Sequence, residues 1–412
     1  MTNGWTGGQY SLFRAIVGAY LFVHFIGLLP WGTEVFSNAG MLPSDASPLL
    51  TLFPNVLAFA DTPAAVRTLL ALGATASITF LLGLYDRLSA VAIWYVLACL
   101  VGRNPLIANP SLPFVGWLLL AHAALPSAPY GSWSAAGRPD PGGGWSMPPA
   151  IFAAAWIVMA AGYTYSGYEK LVSPSWLDGS AVARVLNNPL ARPGVVRDLV
   201  GSAPAVVLRT LTWGVLALEL LYAPLALFRR VRPVIWTAMV GMHLGLMLLV
   251  DFAELSFGML IVHLFAFDPL WIRSRWTGRQ DQFLYDGTCG LCHGAVRFVL
   301  ARDRSGTAFT FAPLHGETFT AAVPADQRAA LPDSIVIRTD AGALLTRSDA
   351  AIYVLERLGG LWRVLGGAMR VAPKPARDVA YDFVATRRYR WFGREASTCP
   401  IVPKELQSRF HP

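Results

Sequence analysis

The stretch FLYDGTCGLCHGAV, residues 283–296, decides how the last third of this chain folds. It begins with a short apolar run typical of a β-strand and ends in residues with the apolar spacing of a helix. Between them stand Cys289 and Cys292, three positions apart. This spacing places both thiols on one face of a first helical turn, close enough to form a disulfide. The stretch therefore predicts a strand, a dithiol turn and a helix.

The position of the dithiol predicts its chemistry. A cysteine at the beginning of a helix meets unpaired backbone N–H groups and the positive end of the helix dipole, and both favour the thiolate. We therefore expect Cys289 to be the outer, attacking sulfur and Cys292 to resolve a mixed disulfide. Asp286 has two alternative roles: it caps the turn, or it takes the proton from Cys292 when that thiol attacks.

A structural zinc site is the alternative explanation of the two cysteines. Zinc takes four ligands, and the other candidates are His293, His315 and Cys399. His293 directly follows Cys292 and is poorly placed to bind the same ion, and the sequence has no second Cys-x-x-Cys. Redox chemistry without a metal is therefore the preferred prediction.

The sequence after the dithiol predicts the rest of a small α/β domain. AFTFAPL has the pattern of a second strand, SIVIRT and ALLTR form a predicted hairpin, and SDAAIYVLERL is a predicted helix between Ser348 and Gly359. Strand, helix, strand, hairpin and helix is the order of a thioredoxin-like domain. Pro332 stands where such domains place a cis-proline facing the dithiol; an ordinary loop proline is the alternative.

Everything upstream of this domain is more apolar. The 412 residues are 54% hydrophobic and only 14% charged, whereas soluble domains carry about a quarter charged residues. Spans of about 20 apolar residues are needed to cross a bilayer, and the candidates are 11–29, 64–84, 88–101, 112–125, 148–171, 203–228, 231–250 and 255–272. The predicted fold is therefore a polytopic α-helical membrane bundle of about eight helices, residues 1–273, followed by a thioredoxin-like soluble α/β domain, residues 281–412.

The arginines predict an orientation rather than a nucleic-acid partner. The net charge is +8, but the arginines cluster in loops beside apolar segments, as the positive-inside rule places them. The basic loops at 228–233 and 273–279 are therefore predicted on the cytoplasmic side. With eight spans, both termini and the dithiol domain lie in the cytoplasm, and the chain is an integral protein of a bacterial inner membrane.

The soluble part resembles the DCC family of predicted thiol-disulfide oxidoreductases. The matching motifs are, in order, YDGTCGLC, VRFVLARD, FAPL, DSIVI, RSDAAIYVLERLGG and RYRWFG. The Asp-x-x-Cys-x-x-Cys signature of the family falls on Asp286, Cys289 and Cys292. The resemblance covers residues 282–412 and implies a thioredoxin-like fold and dithiol chemistry, but it names no substrate.

A second motif lies in the apolar part, at residues 160–182, AAGYTYSGYEKLVSPSWLDGSAV. It places Lys170 at a helix end, where the amine either reaches the membrane interface or sits in a desolvated pocket as a base. The motif resembles the segment around the catalytic lysine of vitamin K-dependent gamma-glutamyl carboxylase, whose bacterial relatives are the HTTM proteins. This resemblance, over residues 11–273, implies that Lys170 is the catalytic base.

Four histidines lie within the apolar segments of the chain: His24, His122, His243 and His263. Ionisable groups inside a bilayer are costly, so together they predict a polar cavity. The alternative is that each is a packed residue bonded to a neighbour. Haem ligation by two of them is a weaker possibility.

Three functions are compatible with these features, and the first is preferred. The chain is a membrane-anchored thiol-disulfide oxidoreductase acting on a protein thiol, and its bundle supplies location or binds a lipid-soluble partner such as a quinone. Alternatively, Lys170 performs the main chemistry in the bundle and the dithiol recycles the reductant. In the third interpretation the bundle is a non-catalytic anchor or carrier and the Cys-x-x-Cys is structural or metal-binding. No cofactor is certain.

Overall fold

The structure is a computed structural model that describes residues 3–107, 109–274, 279–303, 306–395 and 402–412, except for the side chain of Ala253. Contacts divide the chain into two compact units. The bundle unit comprises 13–125 and 148–267, and the dithiol unit comprises 3–12, 126–147 and 268–412. The predicted domain boundary between 273 and 281 stays a prediction.

The described part of the chain up to residue 267 is mainly helical. Its α-helices are α1 (Gly7–Leu28), α2 (Gly32–Phe36), α3 (Pro63–Leu82), α4 (Asp86–Arg103), α5 (Leu112–Ala124), α6 (Pro149–Lys170), α7 (Pro174–Leu177), α8 (Ala181–Leu186), α9 (Val195–Gly201), α10 (Ala205–Leu220), α11 (Tyr222–Ala226), α12 (Arg232–Leu249) and α13 (Ala253–Ala266). Short 3-10 turns lie at Ser44–Ala46, Val56–Ala58, Pro105–Ile107, Trp133–Ala135 and Pro269–Trp271.

Local sequence determines where these helices begin and end. Helix α3 is an example: the Thr62 hydroxyl accepts a hydrogen bond from the Ala65 N–H at 3.2 Å, and Pro63 occupies the first helical position, where no N–H is needed. The helix ends at Gly83, whose φ of 73° is a left-handed conformation that glycine adopts without steric cost.

Four of the described helices, α1, α3, α6 and α12, are long and apolar enough to cross a membrane. The count rises to five if α9 and α10, which are bent by 104°, form one broken span. Helices occupy all eight predicted places, but eight spans are not confirmed. One reason is visible after α10: Pro224 has no N–H to bond to the Leu220 carbonyl, and the chain continues as the short α11.

The dithiol unit contains a small mixed sheet surrounded by helices. Its elements from residue 281 onward are β1 (Asp281–Tyr285), α14 (Gly290–Leu300), β2 (Phe309–Pro313), α15 (Glu317–Ala322), α16 (Ala325–Ala330), β3 (Val336–Arg338), β4 (Leu344–Thr346), α17 (Arg347–Leu358), α18 (Gly360–Val371), α19 (Lys374–Ala385), α20 (Arg388–Phe392) and α21 (Lys404–Gln407). The predicted succession of strand, helix, strand, hairpin and helix is present, with α15 and α16 inserted before the hairpin.

The strands of this sheet are arranged in the order β2-β1-β3-β4. Strand β1 is parallel to β2 and antiparallel to β3, and β3 is antiparallel to β4. A parallel neighbour requires a crossover, which α14 supplies between β1 and β2. The dithiol turn therefore follows the carboxyl end of a central strand.

Both faces of β1 are buried, because its side chains alternate between two apolar clusters. Phe283 and Tyr285 belong to the cluster that includes Val296 of α14. Leu284 belongs to the opposite cluster, with Phe319 of α15. This two-sided burial fixes the end of β1, and hence the position of the turn that carries the cysteines.

Candidate functional site

The two cysteines lie where α14 begins. Cys289 is the residue before the helix, with φ of −106° and ψ of 120°, and Cys292 is in its first turn. Both are free thiols. Cys289 is completely buried, whereas Cys292 retains 7% of its accessible surface. The structure thus places both predicted cysteines, as free thiols, at the beginning of α14.

The prediction that Cys289 is the outer sulfur is wrong. A covering segment, residues 392–395, runs along the turn: Cys289 forms an isolated antiparallel bridge with Arg394. The Gly290 N–H donates to the Gly393 carbonyl at 3.3 Å, and the Glu395 N–H donates to the Thr288 carbonyl at 3.0 Å. The covering segment is distant from the dithiol turn in sequence, so the dithiol motif could not predict that this segment packs against it.

Burial determines the protonation of the second sulfur. Two causes raise the pKa of the Cys292 thiol to about 12. The larger is its burial away from water, and the second is the adjacent Cys289 sulfur. Cys292 is therefore a thiol near neutral pH. To attack a mixed disulfide it must lose its proton in the same event.

Asp286 is saturated with hydrogen-bond donors. One carboxylate oxygen accepts from the Thr288 N–H at 2.9 Å and the Thr288 hydroxyl at 2.8 Å. The other accepts from Arg388 at 3.1 Å and from the Tyr389 hydroxyl. Burial alone would raise the pKa of Asp286, but these donors outweigh it and lower the pKa to about 2. A carboxylate this acidic is a weak proton acceptor, so the geometry favours the turn-capping role over the base role.

Arg388 is a residue of this site whose role the sequence did not reveal. Its guanidinium binds Asp333 in bidentate fashion, with both distances 2.8 Å, and also reaches Asp286. It thereby connects the dithiol turn, the loop before β3 and α20. The RYRWFG motif that carries Arg388 was the available signal, but nothing in the sequence paired it with these carboxylates.

A cavity of about 220 Å³ opens beside Cys292. Its apolar walls are formed by Leu291, Ala295, Ile335, Ala351, Val384 and Ala385. Its polar groups include Tyr381, Asp333 and Arg388. Cys289 is not among the lining residues, so the cavity gives access to the second sulfur and not to the first.

Pro332 is not a cis-proline, because no peptide bond in the described part of the chain is cis. The segment that it begins nevertheless lies beside the dithiol, since Ser334 and Ile335 line the cavity with Cys292. Of the two alternatives for Pro332, the structure therefore favours the ordinary loop proline.

No group of three or more histidine, cysteine, aspartate or glutamate side chains in the described residues is placed to hold a metal ion. The His293 ring lies at the dithiol turn, where its Nε2 is 3.0 Å from the Gly287 carbonyl oxygen. Cys399, the third cysteine considered for a zinc site, lies outside the described residues.

Lys170 lies at the end of α6 in the bundle unit. Its amine donates to the Glu219 carboxylate at 2.6 Å and to the Ser166 hydroxyl at 2.7 Å. It also lies 5.2 Å from the centre of the Trp176 ring. The Glu219 side chain is only 7% exposed and that of Lys170 is 22% exposed. The structure therefore holds this lysine in a partly buried ion pair.

The four histidines of the bundle unit are divided among three places. His243 and His263 each lie 2.7 Å from the Tyr163 hydroxyl. His24 is 3.4 Å from Glu254. His122 is 3.5 Å from Asp86. Among the contacts of the described residues, His243 and His263 share a neighbour, whereas His24 and His122 each lie beside a different carboxylate, which favours the alternative of packed histidines bonded to neighbours over one shared cavity.

Known proteins resemble the part of the chain that carries the dithiol. A family model described as DCC1-like thiol-disulfide oxidoreductase matches residues 283–394. The uncharacterized protein YuxK of Bacillus subtilis is 39% identical over 133 residues, which are 31% of this chain and 92% of the relative. A chloroplastic DCC family protein of Arabidopsis thaliana is 31% identical over 119 residues, which are 29% of this chain and 69% of the relative.

No solved structure matches the chain. The two relatives are covered over most of their own length, and the family model spans both cysteines and the covering segment up to Arg394. Through this part of its sequence, the chain belongs to the DCC family of thiol-disulfide oxidoreductase-like proteins.

Proposed function

We propose that this protein is a membrane-anchored thiol-disulfide oxidoreductase whose Cys289 and Cys292 alternate between dithiol and disulfide. One observation carries the proposal: two free thiols, Cys289 and Cys292, stand three positions apart at the beginning of α14, and the Cys289 sulfur is a neighbour that helps to raise the pKa of the Cys292 thiol. Two cysteines three positions apart at the beginning of a helix have the spacing at which a disulfide forms without a rearrangement of the fold. Membership of the DCC family agrees with this chemistry.

We infer that the domain is thioredoxin-like. The sheet order β2-β1-β3-β4, the parallel β1–β2 pair joined by α14, and the antiparallel hairpin followed by α17 support this inference. In this arrangement the dithiol stands at the carboxyl end of β1, where an α/β sheet presents its reactive groups.

The exchange reaction uses the two sulfurs in sequence. The Cys289 thiolate attacks one sulfur of a substrate disulfide, and the other substrate sulfur leaves as a thiolate. Cys292 then attacks the Cys289 sulfur of the mixed disulfide, loses its proton, and releases the second substrate thiolate. The product is a Cys289–Cys292 disulfide and a reduced substrate. Because residues 392–395 cover Cys289, a protein substrate reaches this sulfur only after the covering segment moves.

The apolar helices provide the membrane attachment in this proposal. Four of them are long and apolar enough to span a bilayer, which supports a multi-pass location in a bacterial inner membrane. The protein partner is then a thiol protein near the membrane, and a quinone or another lipid is the proposed small partner. The cytoplasmic placement of the dithiol depends on eight spans and remains a prediction.

Trapping of thiols tests the exchange. The full-length protein is reduced, or oxidised with diamide, then unfolded so that the buried sulfurs are accessible, alkylated with a maleimide of known mass and weighed intact. We expect two more labels on the reduced wild-type protein than on the oxidised one, and no such difference for Cys289→Ser or Cys292→Ser. An equal number of labels in both states of the wild-type protein would contradict the proposal.

The Lys170–Glu219 pair bears on a second proposed function. In the HTTM-like interpretation Lys170 is the base of a membrane enzyme, and the dithiol recycles its reductant. The Lys170 amine lies 2.6 Å from the Glu219 carboxylate, so this ion pair would have to separate before the amine could act on a substrate. Replacement of Lys170 with alanine tests this function: a variant with unchanged cellular function would remove it. The third interpretation, an anchor with an inert Cys-x-x-Cys, is tested by the same trapping of thiols: it predicts equal numbers of labels on the reduced and the oxidised protein.

A further inference from the structure

The cavity beside Cys292 has the size of a small ring system. A cavity of about 150 Å³ holds a benzene molecule, and this one measures about 220 Å³. It therefore holds one or two fused six-membered rings. A protein disulfide brings backbone on both sides of each sulfur, which this volume does not hold.

The polar groups of the cavity select a ligand that accepts hydrogen bonds. The Tyr381 hydroxyl accepts a hydrogen bond from the Ile335 N–H at 3.2 Å, which leaves its own hydrogen available for a ligand. The Nε–H of Arg388 is buried and has no acceptor among the residues that the structure describes. Buried donors are normally paired. A ligand with carbonyl oxygens would supply the missing acceptors.

The charges of the cavity disfavour an anionic ligand. The cation of Arg388 faces two carboxylates, Asp286 and Asp333, so this part of the cavity carries surplus negative charge. The apolar walls favour a ligand without charge. A quinone is an uncharged ring with carbonyl oxygens, and it is also able to accept the two electrons and two protons that a dithiol releases.

We propose that this cavity binds the ring of a quinone and that the dithiol reduces it through Cys292. This inference rests on the proposed thiol-disulfide chemistry and names its electron acceptor. The two S–H bonds of Cys289 and Cys292 break and one S–S bond forms. Two electrons and two protons pass to the quinone, whose two carbonyl oxygens become the hydroxyls of a hydroquinone. Because Cys292 lines the cavity, the ring reaches the pair without moving the covering segment.

In this proposal each of the two sulfurs meets a different partner. The small acceptor meets Cys292 inside the cavity, while a protein thiol or disulfide meets Cys289 after the covering segment moves. Helices long and apolar enough to span a membrane keep the protein where lipid-soluble quinones are concentrated.

The test uses the full-length protein in detergent micelles, fully reduced, with decylubiquinone as the probe and diamide as a water-soluble oxidant. We expect the wild-type protein to consume one decylubiquinone for each Cys289–Cys292 disulfide formed. Failure of diamide to form the disulfide would contradict the proposed function itself. Disulfide formation with diamide but not with decylubiquinone would overturn only the quinone inference.

Variants that fill the cavity test whether decylubiquinone reacts from within it or at another place on the protein. Ala385→Leu and Ala351→Leu place side chains from two different helices into the cavity, so either variant that folds decides the question. We expect the rate with decylubiquinone, divided by the rate with diamide, to fall at least tenfold. Ala380→Leu is the matched control, because Ala380 is exposed on the same helix as Ala385. A folded filling variant with the wild-type ratio would overturn the inference.

Discussion

Cys289 and Arg394 face each other across an antiparallel bridge, and the first sulfur of the dithiol is completely buried at this pairing. The reactive pair is therefore asymmetric. Cys289 is completely buried next to the covering segment, and Cys292 borders a cavity. In the proposed exchange, access rather than the spacing of the cysteines would distinguish their roles.

The close approach of the covering segment provides the first prediction. A Cβ atom on Gly290 would lie 2.2 Å from the Phe392 carbonyl oxygen, so alanine at this position must displace the segment. We expect Gly290→Ala, in a Cys292→Ser background, to raise the rate of Cys289 alkylation by iodoacetamide at least tenfold. Gly294→Ala is the matched control, because a Cβ there meets nothing within 4 Å. An unchanged rate in folded Gly290→Ala would show that the segment does not limit access.

The second prediction concerns Asp286, whose folded-state pKa of about 2 lies below the usual value near 3.9. Its stabilisation of the turn is therefore complete above that usual value and is lost as the pH falls towards 2. Loss of the charge in Asp286→Asn weakens the contacts with Arg388 and Tyr389. We expect an effect of about 1–2 kcal/mol, because the carboxylate is partly exposed.

Cys289 alkylation measures this effect, since it reports opening of the covering segment. The rate for Asp286→Asn, divided by that of the wild-type protein, should be roughly 5 to 30. This ratio should stay constant between pH 5.5 and 8, because Asp286 does not titrate there. Asp340→Asn, in an exposed turn, is the control. A ratio that changes across this pH range would instead identify Asp286 as a proton acceptor.

A third prediction follows from the raised pKa of Cys292. In Cys289→Ser the effect of the neighbouring sulfur is removed, but burial, the larger cause, remains. The pKa of Cys292 in this variant should therefore lie below 12 but above the value of about 8.5 for a free cysteine. The pH dependence of its alkylation rate measures the midpoint. A midpoint at or below that of free cysteine would contradict the burial of this thiol.

The dithiol turn was predictable because it is local. Strand, turn and helix are encoded within residues 281–300, and the hairpin and α17 have equally local signals. The covering segment and the pairing of Arg388 with Asp286 were not predictable, because they join residues about a hundred positions apart in sequence. The predicted eight spans are not confirmed, for a different reason. Hydropathy identifies apolar stretches, but the chain breaks after α10 next to Pro224, and α5 has only 13 residues.

A fourth prediction concerns Arg302, which follows α14. Its guanidinium carbon lies 3.5 Å from the ring centre of Phe298, 4.3 Å from that of Trp362 and 4.8 Å from that of Tyr130. Such contacts are worth about 1–2 kcal/mol when they are shielded from water. We expect Arg302→Gln to lower the melting temperature of the dithiol unit by roughly 2–8 °C in circular dichroism. Arg390→Gln, at an exposed position, should leave it unchanged.

The fifth prediction tests the ion pair of Lys170 with Glu219. Removal of the amine leaves a carboxylate that is only 7% exposed without its cation. Lys170→Ala should therefore destabilise the full-length protein by about 1–3 kcal/mol. This loss is smaller than that expected for a fully buried ion pair, because the amine is partly exposed to water. The double variant Lys170→Ala with Glu219→Ala should lose less than the sum of the two single variants. Additive losses in thermal unfolding would show that the two groups do not interact.

A redox titration of the full-length protein tests the central claim most directly. The protein is equilibrated at a series of ratios of reduced to oxidised dithiothreitol or glutathione, its thiols are trapped, and the fraction of Cys289–Cys292 disulfide is measured by mass spectrometry. We predict one two-electron transition with a midpoint between roughly −300 and −120 mV, the range of thiol-disulfide oxidoreductases. Two cysteines that never form a common disulfide across this range would contradict the claim.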